Sequence, residues 1–281
     1  MTHLAPSLLA GRRILVTGGG TGLGFAMGRM FLDLGAELVI CGRRAEVLEQ
    51  AQRDLSEAHP GKVEIVTCNI READSVERMM EESFKSRPID VLVNNAAANF
   101  IAQTESLSPR AVDAILGTTL HGALNCTIAA GKRWIDAGTP GVVLSIVSTS
   151  TITGRAFTVP SAMAKSGLLA MTRSLAVEWG PRNIRLVAIA PGMFPTPGAS
   201  SRLNPSTRGQ QAEDRVPLGR VGQHEELAQL AAFLVSDAAG YMTGEMVVLD
   251  GGAHLRTSGA EDLVDWSDAR WAEHRDEAKR R

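Results

Sequence analysis

The segment that decides the fold is Thr17-Gly18-Gly19-Gly20-Thr21-Gly22-Leu23-Gly24, which directly follows the apolar run Ile14-Leu15-Val16. Its glycines at positions 18, 22 and 24 have the spacing GxxxGxG. Glycine permits a tight turn, and the missing side chains let an anion reach the unpaired N–H groups that begin the next helix. Glycine clusters also make ordinary turns, but a position between a strand and a helix favours a phosphate-binding turn.

Six further apolar runs of strand length follow this turn and alternate with longer helical patterns. The seven predicted strands are residues 14–16, 38–40, 63–66, 91–93, 142–146, 186–189 and 246–249. Such Val-, Ile- and Leu-rich runs are typical of a parallel sheet covered by helices on both faces. Ser108-Pro109 predicts a helix start and Trp179-Gly180-Pro181 a helix stop. The sequence therefore predicts an α/β, doubly wound, Rossmann-type sheet in one domain over residues 1–252.

Composition restricts the class of protein. The chain has 281 residues, of which 44% are hydrophobic and 4% aromatic, so it can bury one large core of small aliphatic side chains. A net charge of −2 provides no field that would attract nucleic acid, and no run of eighteen apolar residues could span a bilayer. We therefore expect neither a nucleic-acid nor a membrane partner.

Cysteine and histidine usage adds two expectations. The three cysteines are widely spaced in sequence and odd in number, and residues 1–13 hold no long apolar leader. Both observations favour a reducing, cytoplasmic location without disulfides. The six histidines include no pair at the spacing of metal ligands on a helix, so we expect no metal site.

Two segments outside the predicted helices and strands are distinctive. Residues 192–220, rich in Pro, Gly, Ser, Gln and charge, lie between the sixth strand and a helix predicted to begin near Glu225. Because ligands bind beyond the carboxyl ends of parallel strands, we expect this segment to be a flexible substrate lid; ordinary loop variability is the alternative. Residues 253–281 form a polar extension in which Leu263, Trp266 and Trp271 fit the apolar stripe of one amphipathic helix. We expect this helix to dock on another subunit; a separate function is the alternative.

The second strand suggests which dinucleotide is bound. It ends in Cys41-Gly42-Arg43-Arg44, with no carboxylate to accept hydrogen bonds from a ribose 2′-hydroxyl. Two guanidinium groups suit a 2′-phosphate, which favours NADP over NAD; solvated surface arginines are the alternative. Asn69, just past the third strand, could bind adenine, and Asn95-Ala96-Ala97, after the fourth, could line the cofactor with small groups.

A serine and a lysine stand out in Val159-Pro160-Ser161-Ala162-Met163-Ala164-Lys165. At i and i+4, Ser161 and Lys165 share one face of a predicted helix. A lysine is rarely fully buried without a partner, which favours a functional Lys165 over a buried structural one. Ser161 fits either a hydrogen-bonding role or a small residue that makes room in a pocket.

These motifs together resemble the short-chain dehydrogenase/reductase family. The shared features are the glycine-rich turn, Asn94-Asn95-Ala96, Ser148 at the end of the fifth strand, Lys165, Pro191-Gly192 and Asp250-Gly251-Gly252. Within that family the chain is similar to 2,4-dienoyl-CoA reductases. The segments that carry this finer resemblance are Asn94-Asn95-Ala96-Ala97-Ala98-Asn99-Phe100, the stretch from Val159 to Lys165, and Leu175-Ala176-Val177-Glu178-Trp179-Gly180.

The resemblance implies an NADPH-dependent reductase of fatty-acid β-oxidation that acts on acyl-CoA and assembles as a homotetramer. The implied catalytic residues are Lys165, Ser161, Asn99, Ser148 and Ser150. The resemblance and the motifs above together imply a set of cofactor contacts. These are Thr17, Gly18, Gly20, Thr21, Gly22, Leu23, Gly24, Arg43, Arg44, Asn69, Ile70, Asn95, Ala96, Ala97, Lys165, Pro191, Gly192 and Phe194. The implied acyl-CoA contacts are Arg71, Asn99, Phe100, Ser108, Ser161 and Arg202.

Departures from the family pattern narrow the chemistry. Ser161 occupies the place of the family's usual acidic tyrosine, and Ser150 that of a substrate-activating tyrosine in the mitochondrial-type enzymes. His121 replaces a family asparagine, where a proton relay or a packing role would fit. Serine has no acidic phenol with a pKa near 10, so it cannot readily protonate an alkoxide. A dienolate, by contrast, needs only hydrogen-bond donors, which favours a conjugated thioester substrate.

Two alternatives stay open at this point. One is an atypical carbonyl or alcohol oxidoreductase in which Ser148, His121 or water replaces the tyrosine. The other is a catalytically silent NADP-binding protein that acts as a sensor or scaffold.

Overall fold

A computed structural model describes residues 4–196, 213, 215–256 and 261–279. Seven parallel strands form one sheet in the order β3-β2-β1-β4-β5-β6-β7. The strands are β1 (Arg13–Thr17), β2 (Glu37–Gly42), β3 (Val63–Thr67), β4 (Val91–Asn94), β5 (Gly141–Ile146), β6 (Ile184–Pro191) and β7 (Met246–Leu249). Each predicted run lies within one of these strands, which confirms the doubly wound sheet.

Helices cover both faces of the sheet. They are α1 (Gly22–Asp33), α2 (Ala45–Ser56), α3 (Ala73–Ser86), α4 (Pro109–Leu116), α5 (Gly122–Ala137), α6 (Ser150–Thr153), α7 (Val159–Trp179), α8 (His224–Val235) and α9 (Asp268–Lys279). A π-helical turn, Gly117–His121, joins α4 to α5. The predicted helix boundaries are confirmed, since α4 begins after Ser108 and α7 ends at Trp179.

The core is divided by the sheet into two main layers. On one side α1 and α8 pack together and bury residues such as Phe31 and Leu227. On the other side α3, α5 and α7 cover the sheet around Trp134, whose Nε1 donates to the Ile89 carbonyl oxygen at 2.6 Å. A Cβ atom at Gly131 would lie 2.4 Å from the Trp179 ring, so glycine lets α5 and α7 approach closely. This packing fixes α7, the helix that carries Ser161 and Lys165.

The three cysteines lie in one core layer although they are far apart in sequence. Cys41, Cys68 and Cys126 are buried free thiols on the α3–α5 side of the sheet. Burial raises the pKa of each thiol, so these groups stay protonated and unreactive at neutral pH.

The prediction for the C-terminal extension is wrong in one respect. Helix α9 begins at Asp268, where the Ser267 hydroxyl accepts the Arg270 N–H at 3.3 Å, so Leu263 and Trp266 precede the helix. A serine N-cap here divides the predicted stripe. The rings of Trp266 and Trp271 still meet, with centroids 4.9 Å apart.

The described residues contain neither a membrane-spanning helix nor a cluster of metal-binding side chains. Within residues 4–196, 213, 215–256 and 261–279, no helix has the length and apolarity needed to cross a bilayer. Over the same residues, no three His, Cys, Asp or Glu side chains are grouped closely enough to hold a metal ion.

Candidate active site

The glycine-rich turn lies at the carboxyl end of β1, beside β4, where the strand order reverses. Gly18 and Gly22 have φ values of +66° and +57°, which side chains rarely adopt. A Cβ atom at Gly24 would lie only 2.5 Å from the carbonyl oxygen of Gly18. The turn therefore requires glycine and leaves the amino end of α1 open to an anion. This cradle fits the pyrophosphate of a dinucleotide.

Thr17 and Asn95 hold the two sides of this turn together. The Thr17 hydroxyl accepts the N–H groups of Asn95 at 3.0 Å and Ala96 at 3.1 Å, and it donates to the Val93 carbonyl oxygen at 3.2 Å. The Asn95 amide donates to the carbonyl oxygens of Thr17 at 2.9 Å and Gly18 at 3.2 Å. Both side chains thus hold the loops that form the cradle, and their direct contact with the cofactor stays a prediction.

The side chains that follow β2 and β3 differ in whether they already have hydrogen-bond or ion-pair partners within the protein. Arg43 and Arg44 are exposed, and among the described residues neither guanidinium makes a hydrogen bond or ion pair. Arg44 is also the N-cap residue of α2. The Asn69 amide already donates to Glu72 Oε1 at 2.6 Å. An anionic group would therefore meet two unengaged arginines, whereas Asn69 would have to exchange a partner.

Ser161 and Lys165 lie on the buried face of α7, with 8% and 6% of their surfaces exposed. Lys165 Nζ donates to the Ile146 carbonyl oxygen at the end of β5. Burial without a carboxylate partner lowers the pKa of Lys165 to about 8. Ser161 Oγ makes no hydrogen bond to another described residue. The predicted shared face is confirmed, and it combines a buried cation with a hydroxyl that has no partner among the described residues.

The two serines after β5 lie slightly differently from the prediction. Strand β5 ends at Ile146, so Ser148 lies two residues beyond the strand and does not end it. Its Oγ accepts the Ser150 N–H at 3.3 Å, and Ser150 begins the short helix α6. The Ser148 hydroxyl thus shapes this turn, while both serines stay half-buried.

Asn99 lies in the loop that follows β4. Its Oδ1 atom is buried and has no hydrogen-bond partner among the described residues. The preceding residue, Ala98, is held by Thr119, a fully buried threonine in the π-helical turn. His121, two residues further on, is exposed. Thr119, which the sequence interpretation did not single out, is therefore the residue of this turn that faces the loop.

The expected acyl-CoA contacts are dispersed around this loop. Arg71 lies against the π-helical turn, since a Cβ atom at Gly117 would be 3.0 Å from its Nε. Phe100 is half-buried. Ser108 caps α4, because its hydroxyl accepts the Ala111 N–H at 3.2 Å, and its contact with acyl-CoA stays a prediction. Arg202 lies outside the described residues.

The chain that leaves β6 returns towards the glycine turn. The Gly192 N–H donates to the Leu249 carbonyl oxygen at 2.9 Å. A methyl carbon of Thr196 would lie 3.3 Å from a Cβ atom at Gly22, so this segment approaches the glycine-rich turn. The Phe194 ring instead packs into the α1–α8 layer and lies 2.4 Å from a Cβ placed at Gly222. The half-buried ring therefore packs against this layer, and its expected place over the nicotinamide stays a prediction.

Fold, glycine cradle and buried lysine together define an oxidoreductase that uses a nicotinamide dinucleotide. A family model described as Enoyl-(Acyl carrier protein) reductase matches residues 18–254. The chain therefore belongs to the short-chain dehydrogenase/reductase family, as the sequence motifs predicted.

Individual relatives agree with this assignment. The chain is 38% identical to a Bacillus subtilis protein named Probable 2,4-dienoyl-CoA reductase [(2E)-enoyl-CoA-producing], over 87% of this chain and 97% of that protein. A short chain dehydrogenase structure from Bacillus anthracis is 38% identical, with a TM-score of 0.81, and covers 88% of this chain and 98% of its own. A gluconate 5-dehydrogenase from Burkholderia cenocepacia, solved in complex with NADP and tartrate, is 28% identical with a TM-score of 0.83. The match covers 90% of this chain and 100% of that structure.

Lys165→Met is expected to stabilise the folded protein. The lowered pKa of Lys165 means that the folded state disfavours the ammonium. This penalty is fully present below pH 8, the folded-state value, and fades as the pH rises towards the ordinary value of 10.5. At pH 7 this penalty destabilises the folded wild type by about 3 kcal/mol. Methionine removes the penalty, but it also removes the hydrogen bond to the Ile146 carbonyl oxygen, which is worth about 1 kcal/mol.

Denaturant unfolding at pH 7 and pH 10 measures this effect. The variant should be more stable at pH 7, and its advantage should shrink at pH 10. A variant that is less stable than wild type at pH 7 would show that the Lys165 ammonium stabilises the fold.

Proposed function

We propose that this protein is an NADPH-dependent reductase of 2,4-dienoyl-CoA thioesters. The observation that carries the proposal is a buried lysine and serine in a site without a phenol. The chain has one tyrosine, Tyr241, which is fully exposed and precedes β7 at the amino edge of the sheet. The glycine cradle and the end of β5 lie at the carboxyl edge. No tyrosine can therefore protonate an alkoxide in this site.

A conjugated thioester removes the need for that acid. When bound, NADPH would supply a hydride, and the proposed acceptor is the δ carbon of the acyl chain. Negative charge then spreads through the conjugated system to the thioester oxygen. Asn99 is the proposed amide donor to this oxygen, and Ser161, with Ser148 or Ser150, is the proposed hydroxyl donor. Donors held in place are effective here because they require no reorganisation as the charge develops.

Lys165 is proposed to serve both cofactor and substrate. Its Nζ, fixed by the Ile146 carbonyl oxygen, still has donors for the nicotinamide ribose. Its positive charge in a desolvated site also favours an anion nearby. Water protonates the dienolate afterwards, at the α carbon to give a 3-enoyl thioester or at the γ carbon to give a 2-enoyl thioester.

We infer that NADPH is preferred over NADH because Arg43 and Arg44 are exposed and unengaged beyond β2. A 2′-phosphate would receive charge-assisted hydrogen bonds from both guanidinium groups. The NADP complex of the Burkholderia cenocepacia relative supports a nicotinamide cofactor in this fold.

The remaining expectations stay predictions. They are the domain boundary at residue 252, the lid over residues 192–220, the cofactor contacts named from the sequence, the acyl-CoA contacts Arg71, Phe100, Ser108 and Arg202, the homotetramer and the cytoplasmic location.

A substrate panel tests the proposed function. NADPH oxidation is followed with a short and a long 2,4-dienoyl-CoA, the matching 2-enoyl-CoA thioesters, and a set of aldehydes and ketones. We expect kcat/KM for the dienoyl thioesters to exceed that for every other class by at least about a hundredfold. The δ carbon of a 2-enoyl thioester is saturated and cannot accept hydride, and the alkoxide from a ketone or aldehyde lacks the general acid, which is worth about a hundredfold or more. A preference for ketones would indicate an atypical carbonyl reductase. Tight NADPH binding without turnover of any substrate would indicate a catalytically silent binding protein. Either result contradicts the proposal.

A further inference from the structure

We propose that Thr119 is a positioning residue that fixes the backbone of Ala98 and thereby aims the Asn99 amide at the thioester oxygen. The inference rests on the proposed function, because it concerns the donor assigned to Asn99. Thr119 itself touches neither reacting atom, and it acts through the loop.

One hydroxyl satisfies both polar backbone groups of Ala98. Thr119 Oγ1 accepts the Ala98 N–H at 3.1 Å and lies 3.4 Å from the Ala98 carbonyl oxygen, to which it donates. Strand β4 ends at Asn94, so within the described structure residues 95–100 have no neighbouring strand to pair with. The Thr119 side chain therefore replaces the missing sheet hydrogen bonds at this point.

The π-helical turn brings Thr119 to this position. Its extra residue per turn interrupts the regular helix between α4 and α5, and such turns occur frequently at functional sites. Two glycines flank the threonine and let the loop after β3 pack closely. A Cβ atom at Gly122 would lie 2.6 Å from Ile70, and one at Gly117 would lie 3.0 Å from Arg71. The turn is thus clamped on one side while Thr119, fully buried, faces the loop on the other.

Asn99 depends on this anchor because its own contacts do not fix it. The buried Oδ1 has no partner among the described residues, although leaving such an atom unpaired costs about 1–3 kcal/mol. A side chain held in place by its own hydrogen bonds would not leave a buried oxygen atom without a partner. The anchored backbone of the preceding residue is therefore the constraint on where the amide points.

Thr119→Val tests the inference because valine keeps the shape and removes both hydrogen bonds. A misplacement of about 1 Å can lower turnover about a hundredfold. We expect kcat for 2,4-dienoyl-CoA to fall by about ten- to a hundredfold, and KM for NADPH to change by less than about twofold, because the loop and not the cofactor cradle moves. Thr119→Ser should restore most of kcat, since serine returns the hydroxyl.

Thr127→Val is the matched control. Thr127 is also fully buried, follows on the same helical segment in α5, and accepts a side-chain hydrogen bond from Asn94 at 2.9 Å. This variant should lose similar stability, measured as the shift in Tm, but keep kcat within about threefold because it leaves Ala98 anchored. Equal kcat in Thr119→Val and Thr127→Val would overturn the inference, as would failure of Thr119→Ser to recover.

A readout independent of turnover completes the test. Amide hydrogen exchange in the peptide spanning residues 96–103 should rise in Thr119→Val and not in Thr127→Val; an unchanged rate would overturn the anchoring role. A wild-type enzyme inactive on 2,4-dienoyl-CoA would contradict the proposed function and this inference with it. An active wild type with an unimpaired Thr119→Val contradicts the inference alone.

Discussion

Asn99→Leu is expected to lower kcat for 2,4-dienoyl-CoA by about a hundredfold or more, the loss that follows removal of one oxyanion donor. Leucine has the same γ-branched outline as asparagine, although it is larger, and it cannot donate to the thioester oxygen. Because the donor matters most when charge develops, kcat should fall much more than the affinity for the thioester. Steady-state kinetics with saturating NADPH would measure both quantities.

Gln52→Met provides the comparison for that result. Gln52 lies in α2 and donates to the Val63 carbonyl oxygen at 2.8 Å, at the amino end of β3 and away from the loop that holds Asn99. Its replacement should reduce Tm while kcat stays within about threefold, the scale of one ordinary hydrogen bond lost away from the site. If Asn99→Leu reduced kcat no more than Gln52→Met, Asn99 would not be the amide donor.

The double variant Arg43→Ala/Arg44→Ala is expected to raise the Kd for NADPH by about a hundredfold or more while the Kd for NADH changes little. Each charge-assisted hydrogen bond to a phosphate is worth about 1.5–3 kcal/mol, and NADH has no 2′-phosphate to lose. Fluorescence titration of the reduced cofactors would measure both constants. Rising ionic strength should weaken NADPH binding to wild type more than to the variant.

Arg53→Ala controls for general loss of positive charge. Arg53 lies in the last turn of α2, at the opposite end of the helix from Arg44, and donates to Gln50 at 2.7 Å. Its removal should leave the ratio of the two Kd values nearly unchanged. An Arg43/Arg44 variant that retained the wild-type preference for NADPH would place the 2′-phosphate elsewhere.

The sheet could be predicted from the sequence because its signals are local. Each strand is a short apolar run, and the turn after β1 needs glycine for reasons visible at single positions, such as the positive φ of Gly18. Ser161 and Lys165 were likewise predictable as a pair, because four residues make a full turn of a regular helix.

The remaining assignments depended on contacts across the chain. The hydroxyl of Thr17 and the amide of Asn95 are engaged with each other's loops, and the Phe194 ring packs into a core layer, none of which the motif spacing reveals. The sequence pointed to His121 in the turn before α5, whereas the structure places Thr119 against the loop that holds Asn99. The π-helical turn causes this difference, because its extra residue changes which side chains share a face. The sequence feature that could have pointed to Thr119 is the pair of threonines between Gly117 and Gly122.

In the proposed reaction the hydride goes to a conjugated carbon, and the resulting charge rests on a thioester oxygen. Isotope labelling tests this with NADPH deuterated at the transferring position and a 2,4-dienoyl-CoA, and the label in the product is located by mass spectrometry and NMR. We predict one deuterium on the δ carbon of a mono-unsaturated thioester. Deuterium on the β carbon, or label transferred only to the carbinol carbon of a ketone substrate, would contradict it.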